Sequence, residues 1–337
     1  AMGAVVGRDA ANQGVDVLLA PGLNTKRSSL CGRSFEYYSE DPYLSGKLAA
    51  GFIRGAQKQG VSACAKHYAA NAQELLRMHS DSVMDERTLR EMYLTNFEIA
   101  IKEGKPGFVM TAYNRVNGVY ANESRHLLGD ILRGEWGFDG AVVTDWGGSN
   151  SIVEGVREGM NLEMPAAGDD SPCQLVKAVK DGTIDEKIVD ERVDQLLDFV
   201  LAEHKSGETS FDAAKQHQAA EAAAEKCLVL LKNDEHLLPL KKDARVAVIG
   251  EFAARSRYQG AGSSMVNAAQ VDDTLPLLDE FFPARVGFAQ GFERLDAAND
   301  ALADEAVQLA KTADCAVVYL GLPECFAAEG LDRALMR

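Results

Sequence analysis

Four short apolar runs, each stopping at a polar cluster and each separated from the next by helix-length sequence, constrain this chain more than any other feature. They occupy residues 15–20, 62–66, 108–112 and 141–144, with a weaker fifth at 161–164. Helical patterns fill residues 42–59, 85–102 and 123–135 between them, and the one opening at Asp85 has apolar residues at helical spacing behind an acidic start. Strands alternating with helices argue for parallel βα units. Four or five such units in the first half of the chain fit part of an α/β fold of the (β/α)8 TIM-like barrel type, whose reactive groups sit at the C-terminal strand ends.

The second half reads differently. Residues 173–204 are helical with a stop and restart near Gly182, residues 205–210 form a linker, and a helix covers 212–231. A strand at 245–249, a Gly260-Ala-Gly-Ser-Ser264 loop, a helix at 299–312 and a strand at 315–320 follow. This is the pattern of an α/β sandwich with a mostly parallel sheet. The expected division is a barrel domain at 1–204, a linker and connecting helix at 205–235, and the sandwich at 236–337. Residues 1–14 read as the second half of a helix feeding a strand, and residues 332–337 stop without a closing element. The expectation is therefore a barrel truncated at its N-terminus and a sandwich truncated at its C-terminus, an internal piece of something longer.

Charge and composition remove several classes of function. The net charge is −16, with no basic cluster, which argues against nucleic acid or an anionic membrane surface as partner. No apolar run approaches the length of a membrane span. None of the six cysteines forms a CxxC pair, and Cys64, Cys227 and Cys315 lie in apolar runs, so buried thiols in a reducing, cytoplasmic compartment are expected. No secretory leader pattern is read at the start. The histidines lack HxxxH and HExxH spacing, so no metal site is expected. The glycine loop at 260–264 has neither a P-loop lysine nor the dinucleotide spacing, so no cofactor is expected.

The polar residues at the strand ends are the candidate chemistry. In Gly140-Ala-Val-Val-Thr-Asp-Trp-Gly-Gly148 an apolar strand is aimed at Asp145; the alternative is a helix-capping aspartate. Arg33, in a segment rich in aromatic and hydroxyl groups, offers a planar fork suited to vicinal hydroxyls or a carboxylate; the alternative is an ion pair with Glu36 or Glu40. Lys66 and His67 place two donors side by side, against a structural histidine beside an exposed lysine. Arg77 lies where it can point at the same rim. Tyr113 and Asn114 close the third strand. Glu329 is again an acid in a loop past a strand end, against a solvated loop carboxylate.

Taken together, the segments 15–24, 32–42 and Lys66-His67-Tyr68, Asn71-Ala-Gln-Glu74 with Arg77, Thr111-Ala-Tyr-Asn114, Val143-Thr-Asp-Trp146 and Asn161-Leu-Glu-Met-Pro165 resemble glycoside hydrolase family 3 in its β-glucosidase branch. Val229-Leu-Leu-Lys-Asn233, Leu237-Leu-Pro-Leu240, Gly262-Ser-Ser264 and Glu329-Gly-Leu-Asp-Arg333 extend the likeness to the second domain. The resemblance implies exo-acting, retaining hydrolysis with Asp145 as nucleophile and Glu329 as general acid and base, their carboxyls about 5–5.5 Å apart. It implies that donors hold the Asp145 pKa low while Glu329 stays protonated near neutrality. Arg33, Lys66, His67 and Arg77 would donate to hydroxyls of the −1 sugar, Tyr113 would support the nucleophile, and Trp146 would face the ring. The implied partner is a small oligosaccharide or an aryl or alkyl β-glucoside. Alternatives are β-xylosidase or α-L-arabinofuranosidase activity in the same family, or a non-catalytic fragment that needs the remainder of its own chain or a homo-oligomer. Members of the branch begin with a further stretch, absent here, that holds the first barrel strand and an aspartate gripping the far sugar hydroxyls. The longer histidine loop of the N-acetylglucosaminidase branch is also absent.

Overall fold

The computed structural model describes residues 1–202, 211–295 and 298–335, which divide into two compact units between Cys227 and Leu228. The linker expected at 205–210 lies outside the described residues.

In the first unit α1 (Met2–Asn12) leads into β1 (Val17–Leu18), α2 (Pro42–Gln57) and β2 (Ser62–Tyr68). A two-residue β3 (Asp81–Ser82), a helical segment over 86–104 and β4 (Phe108–Thr111) follow. After them come β5 (Arg115–Val116), β6 (Val119–Tyr120), a π-wound helix at His126–Glu135 and β7 (Ala141–Val143). Helices at Ile152–Glu158, Asp170–Lys180, Glu186–Leu201 and Ala213–Cys227 complete the unit. The helix starts follow local chemistry. Asp41 accepts hydrogen bonds from the Tyr43 and Leu44 amides ahead of Pro42, and Asp85 accepts from the Thr88 amide.

The main sheet has the order β1-β2-β4-β7, every pair parallel. Both faces are covered, which is why these strands read as continuous apolar runs. One face meets Ile53 of α2, Phe97, Leu128, Ile131 and Trp136. On the other, Cys64, Phe108, Met110 and Val143 pack with Leu196 and Phe199. Among the described residues the sheet is open; it does not close into the barrel that the βα rhythm suggested. The fifth strand expected at 161–164 is reduced to a single parallel bridge from Leu162 to Val143. The chain leaves the sheet as it runs into Pro165, which has no amide to donate. β3, β5 and β6 form a separate small sheet that the sequence did not announce.

The second unit contains β8 (Val246–Ile249), β9 (Gly287–Ala289) and β10 (Cys315–Val318) in the order β10-β8-β9, again all parallel. Helices at Thr274–Phe281 and Asp300–Ala310 are the longest in it. β9 and the helix at Thr274–Phe281 escaped the sequence reading, since three residues are too few to show a period. The helix expected over 212–231 ends at Cys227, and Leu228, Val229, Leu230 and Leu231 are exposed and non-helical. Cys64 is buried as expected, whereas Cys227, at that helix end, is exposed and Cys315 only partly covered.

Two glycines let β4 and β7 start close together. A Cβ on Gly140 would stand 2.3 Å from the Gly107 carbonyl oxygen, a backbone atom that cannot swing away. Gly140→Ala should therefore destabilise the chain by about 2 kcal/mol in urea unfolding. Gly51, exposed in α2 with open space around it, is the counter-case: Gly51→Ala should stabilise by about 0.5–1 kcal/mol. Equal effects from the two substitutions would contradict this account of the strand approach.

Candidate active site

β7 ends at Val143, and two residues on, Asp145 is 6% exposed, at the C-terminal edge of the parallel sheet. Its Oδ1 accepts a hydrogen bond from the Trp146 amide at 2.8 Å. Its Oδ2 is buried and accepts none from the protein. His67 Nε2 lies 3.5 Å from that Oδ2. His67 comes from the C-terminal part of β2, where the register with β4 shifts between Lys66 and Tyr68, and the Lys66–His67 peptide is cis.

The cations around this carboxylate are tied by buried acids. Arg33, 1% exposed, donates from Nε to Glu36 Oε1 at 2.6 Å and from Nη2 to His67 Nε2 at 3.0 Å. Its Nη1 lies 4.0 Å from Oε1 of the buried Glu74. Glu74 Oε2 accepts from Arg77 Nη1 at 2.8 Å, and the Arg77 guanidinium lies 4.5 Å over the Tyr113 ring. Tyr113 in turn donates its hydroxyl to the Trp146 carbonyl at 2.9 Å. The Trp146 side chain is half exposed, as a ring face for a ligand needs to be.

Burial dominates the electrostatics. Loss of water pushes the Asp145 carboxyl above its ordinary value; the Trp146 amide, Arg33, Lys66 and Tyr113 pull it back without cancelling the rise. The expectation that donors hold this carboxyl low is thus corrected by its burial. Desolvation, followed by Arg33, Lys66 and Arg77, holds His67 well below the ordinary imidazole range. Burial works against the Arg33 charge, yet Tyr37, Glu36 and Glu74 together keep that guanidinium firmly protonated.

Seven of the eight sequence candidates, Asp145 and six others, therefore lie in the first unit. The pairing of Arg33 with Glu36 exists alongside its contact with His67, so the two readings of Arg33 hold together. Glu329, the eighth, stands in the second unit. Its Oε2 accepts from the Ser263 amide at 2.9 Å and from the Ser263 hydroxyl. A Cβ on Gly262, whose φ is +112°, would come within 2.5 Å of the Glu329 Cβ, so a glycine is required beneath this carboxylate. Sequence reasoning gave no role to Glu74, Asn24 or Tyr37. Glu74 carried one signal, an acid three residues before Arg77. Among the described residues no cluster of three or more His, Cys, Asp or Glu is placed to hold a metal, and no helix is long and apolar enough to cross a membrane.

Comparison with known families now decides the class. The glycosyl hydrolase family 3 N-terminal domain matches residues 1–199, and the family 3 C-terminal domain matches residues 228–337. The chain belongs to glycosyl hydrolase family 3. It is 44% identical to thermostable beta-glucosidase B of Acetivibrio thermocellus over 99% of this chain and 45% of that protein. It is 41% identical to an exo-alpha-(1->6)-L-arabinopyranosidase of Bifidobacterium longum over 98% of this chain and 45% of that one. The crystal structure of a family 3 beta-glucosidase from Bifidobacterium adolescentis superposes with a TM-score of 0.92 at 40% identity, covering 98% of this chain and 49% of that chain. Beta-glucosidase 3B from Thermotoga neapolitana, solved with α-D-glucose, gives a TM-score of 0.85 at 32% identity, covering 99% of this chain and 51% of that chain. The family 3 chain described here thus spans about half the length of the relatives it matches.

The raised Asp145 carboxyl has a measurable consequence for stability. A carboxyl whose folded pKa exceeds its unfolded value of 3.8 weakens the fold once pH rises past that value, because folding then buries a charge. Asp145→Asn should raise the melting temperature at pH 7, and the gain should shrink as pH is lowered toward 4. A lower melting temperature for the variant at pH 7 would show that the neighbouring donors, not burial, control this carboxyl.

Proposed function

We propose that this chain carries the catalytic residues of an exo-acting retaining β-glycosidase of β-glucosidase type. The observation that carries the reading is the Asp145 carboxylate. It is buried at the end of a parallel strand, one oxygen bound by the Trp146 amide and the other left unbonded, with Arg33 and Lys66 near it and Arg77 near the neighbouring His67. The four parallel strands are then one side of a (β/α)8-type barrel and the second unit belongs to an α/β sandwich, a reading that family membership supports.

In this scheme Asp145 Oδ2 attacks the anomeric carbon as the bond to the leaving oxygen breaks. Glu329 gives its proton to that oxygen. Glu329 then takes a proton from water, the resulting hydroxide attacks the same carbon, and the bond to Asp145 breaks to return the free carboxylate. With Glu329 protonated in this scheme, the two Ser263 hydrogen bonds accepted by Oε2 leave the proton to Oε1. Arg33, Lys66 and Arg77 supply cationic donors for sugar hydroxyls, and Trp146 supplies the apolar face. Glucose is the favoured sugar, since the beta-glucosidases of Acetivibrio thermocellus and Bifidobacterium adolescentis are both close relatives. A pentose is the second reading, favoured by the 41% identity to the Bifidobacterium longum arabinopyranosidase.

Two experiments test this. Asp145→Ala should lose at least about 10³-fold in kcat, and Glu329→Ala about 10²–10⁴-fold. Azide should rescue Glu329→Ala with retained configuration and Asp145→Ala, where it rescues at all, with inversion. Full activity in Asp145→Ala ends the proposal, and no turnover by the native chain alone favours the incomplete-fragment reading. Separately, kcat/KM should be higher on nitrophenyl β-D-glucopyranoside than on the β-D-xylopyranoside or α-L-arabinopyranoside. Faster turnover of either pentoside would reassign the sugar.

A further inference from the structure

Asn24 is buried in the loop between β1 and α2, the same loop that supplies Arg33. Its side-chain amide is clamped on the backbone of His67: Nδ2 donates to the His67 carbonyl at 2.8 Å, and Oδ1 accepts from the His67 amide at 2.8 Å. A main-chain carbonyl only accepts and a main-chain amide only donates, so these two bonds fix which end of Asn24 is oxygen. That oxygen lies 3.2 Å from His67 Nδ1, and Nδ1 therefore carries a hydrogen. On the other edge of the ring, Arg33 Nη2 lies 3.0 Å from Nε2. A guanidinium only donates, so Nε2 presents its lone pair. Two partners of fixed polarity thus define one ring state.

We propose that Asn24 is a positioning residue: it locks His67 as the neutral Nδ1–H tautomer, so that Nε2 holds the Arg33 guanidinium beside Asp145 and His67 offers no N–H to a bound sugar. This revises the expectation that His67 donates to sugar hydroxyls. The catalytic consequence rests on the glycosidase reading, whereas the ring state does not. It also explains why Asp145 Oδ2 accepts nothing from its neighbour, since two acceptors face each other across 3.5 Å.

The groups facing the ring act in both directions. Arg33, Lys66 and Arg77 oppose a proton on it, Asp145 favours one, and Tyr37 places its hydroxyl 3.3 Å from Nδ1. Glu36 and Glu74 act through Arg33. Burial and the three cations prevail, keeping the imidazole neutral well below its ordinary value of 6.5. A proton on Nε2 would point at the Arg33 N–H group and break the contact.

The direct test is nitrogen NMR on the intact chain labelled with ¹⁵N-histidine, with the His67 signals assigned by their loss in His67→Gln. Nδ1 should report a bonded hydrogen and Nε2 a bare lone pair at pH 8, and both should stay so down to pH 5.5. A protonated Nε2, or titration to imidazolium near pH 6.5, overturns the proposal. The kinetic test is Asn24→Asp, which keeps the acceptor for the His67 amide and for Nδ1 but sets a negative charge against the ring. It should raise the acid limb of the kcat/KM profile on nitrophenyl β-D-glucoside by about one pH unit. A folded Asn24→Asp protein with an unmoved acid limb speaks against the proposal. If the chain alone hydrolyses no glycoside, which favours the incomplete-fragment reading, the NMR result alone decides the tautomer.

Discussion

A carboxylate deprived of water at the end of a parallel strand is the constraint that orders the first unit. Removing Asp145 from solvent is costly unless cations stand near it, and those cations are themselves buried or nearly so. Arg33 is answered by Glu36 and Glu74, and Glu74 in turn by Arg77, so that the charges form a lattice rather than isolated pairs. Such a lattice is sensitive to loss of any member, because a single deletion leaves a buried partner uncompensated. His67 sits inside it as the one neutral member, joining Arg33 to the loop through Asn24.

The sequence made the strand ends legible because each apolar run stops where its polar group begins. Parallel pairing then forces those ends onto one edge, and β2, β4 and β7 follow the residues that periodicity marked. What stayed hidden was short or long-range. β3, β5, β6 and β9 are two or three residues long and carry no readable period. The helix read through to Leu231 stops at Cys227 because the alanine-rich helical pattern gives way there to residues that open the second unit, a change of unit that composition alone does not mark. The identities of the site residues were visible, but their couplings were not. Nothing in the spacing of Asn24, Arg33 and His67 shows that the first two grip opposite edges of the third.

Glu329 shows the same dependence of chemistry on backbone. Its amide donates to the Ala261 carbonyl at 3.0 Å, and its carboxylate reaches back to Ser263, so the loop and the Gly262–Ser263 turn hold each other. Gly262 is the element that permits this, since any side chain there would occupy the space of the glutamate stem. The glycine-rich loop, which lacks the spacing of a phosphate-binding motif, is in the structure a seat for a carboxylate.

The direction of the Asp145 shift bears on how such a site works. A carboxylate held at a very low pKa by many donors would be ionised but weakly basic, and its lone pairs would already be engaged. Burial gives the opposite balance: one oxygen is fixed by the Trp146 amide and the other carries no hydrogen bond, at the cost of a higher affinity for protons. Dry surroundings strengthen every charge interaction that a cation makes with that oxygen. The neutral state of His67 belongs to the same design, because an imidazolium at 3.5 Å would neutralise the carboxylate that the site is built to present. Keeping that ring uncharged leaves the carboxylate's charge unpaired by its neighbour, and the Asn24 clamp is the local structure that makes the uncharged tautomer the one that fits.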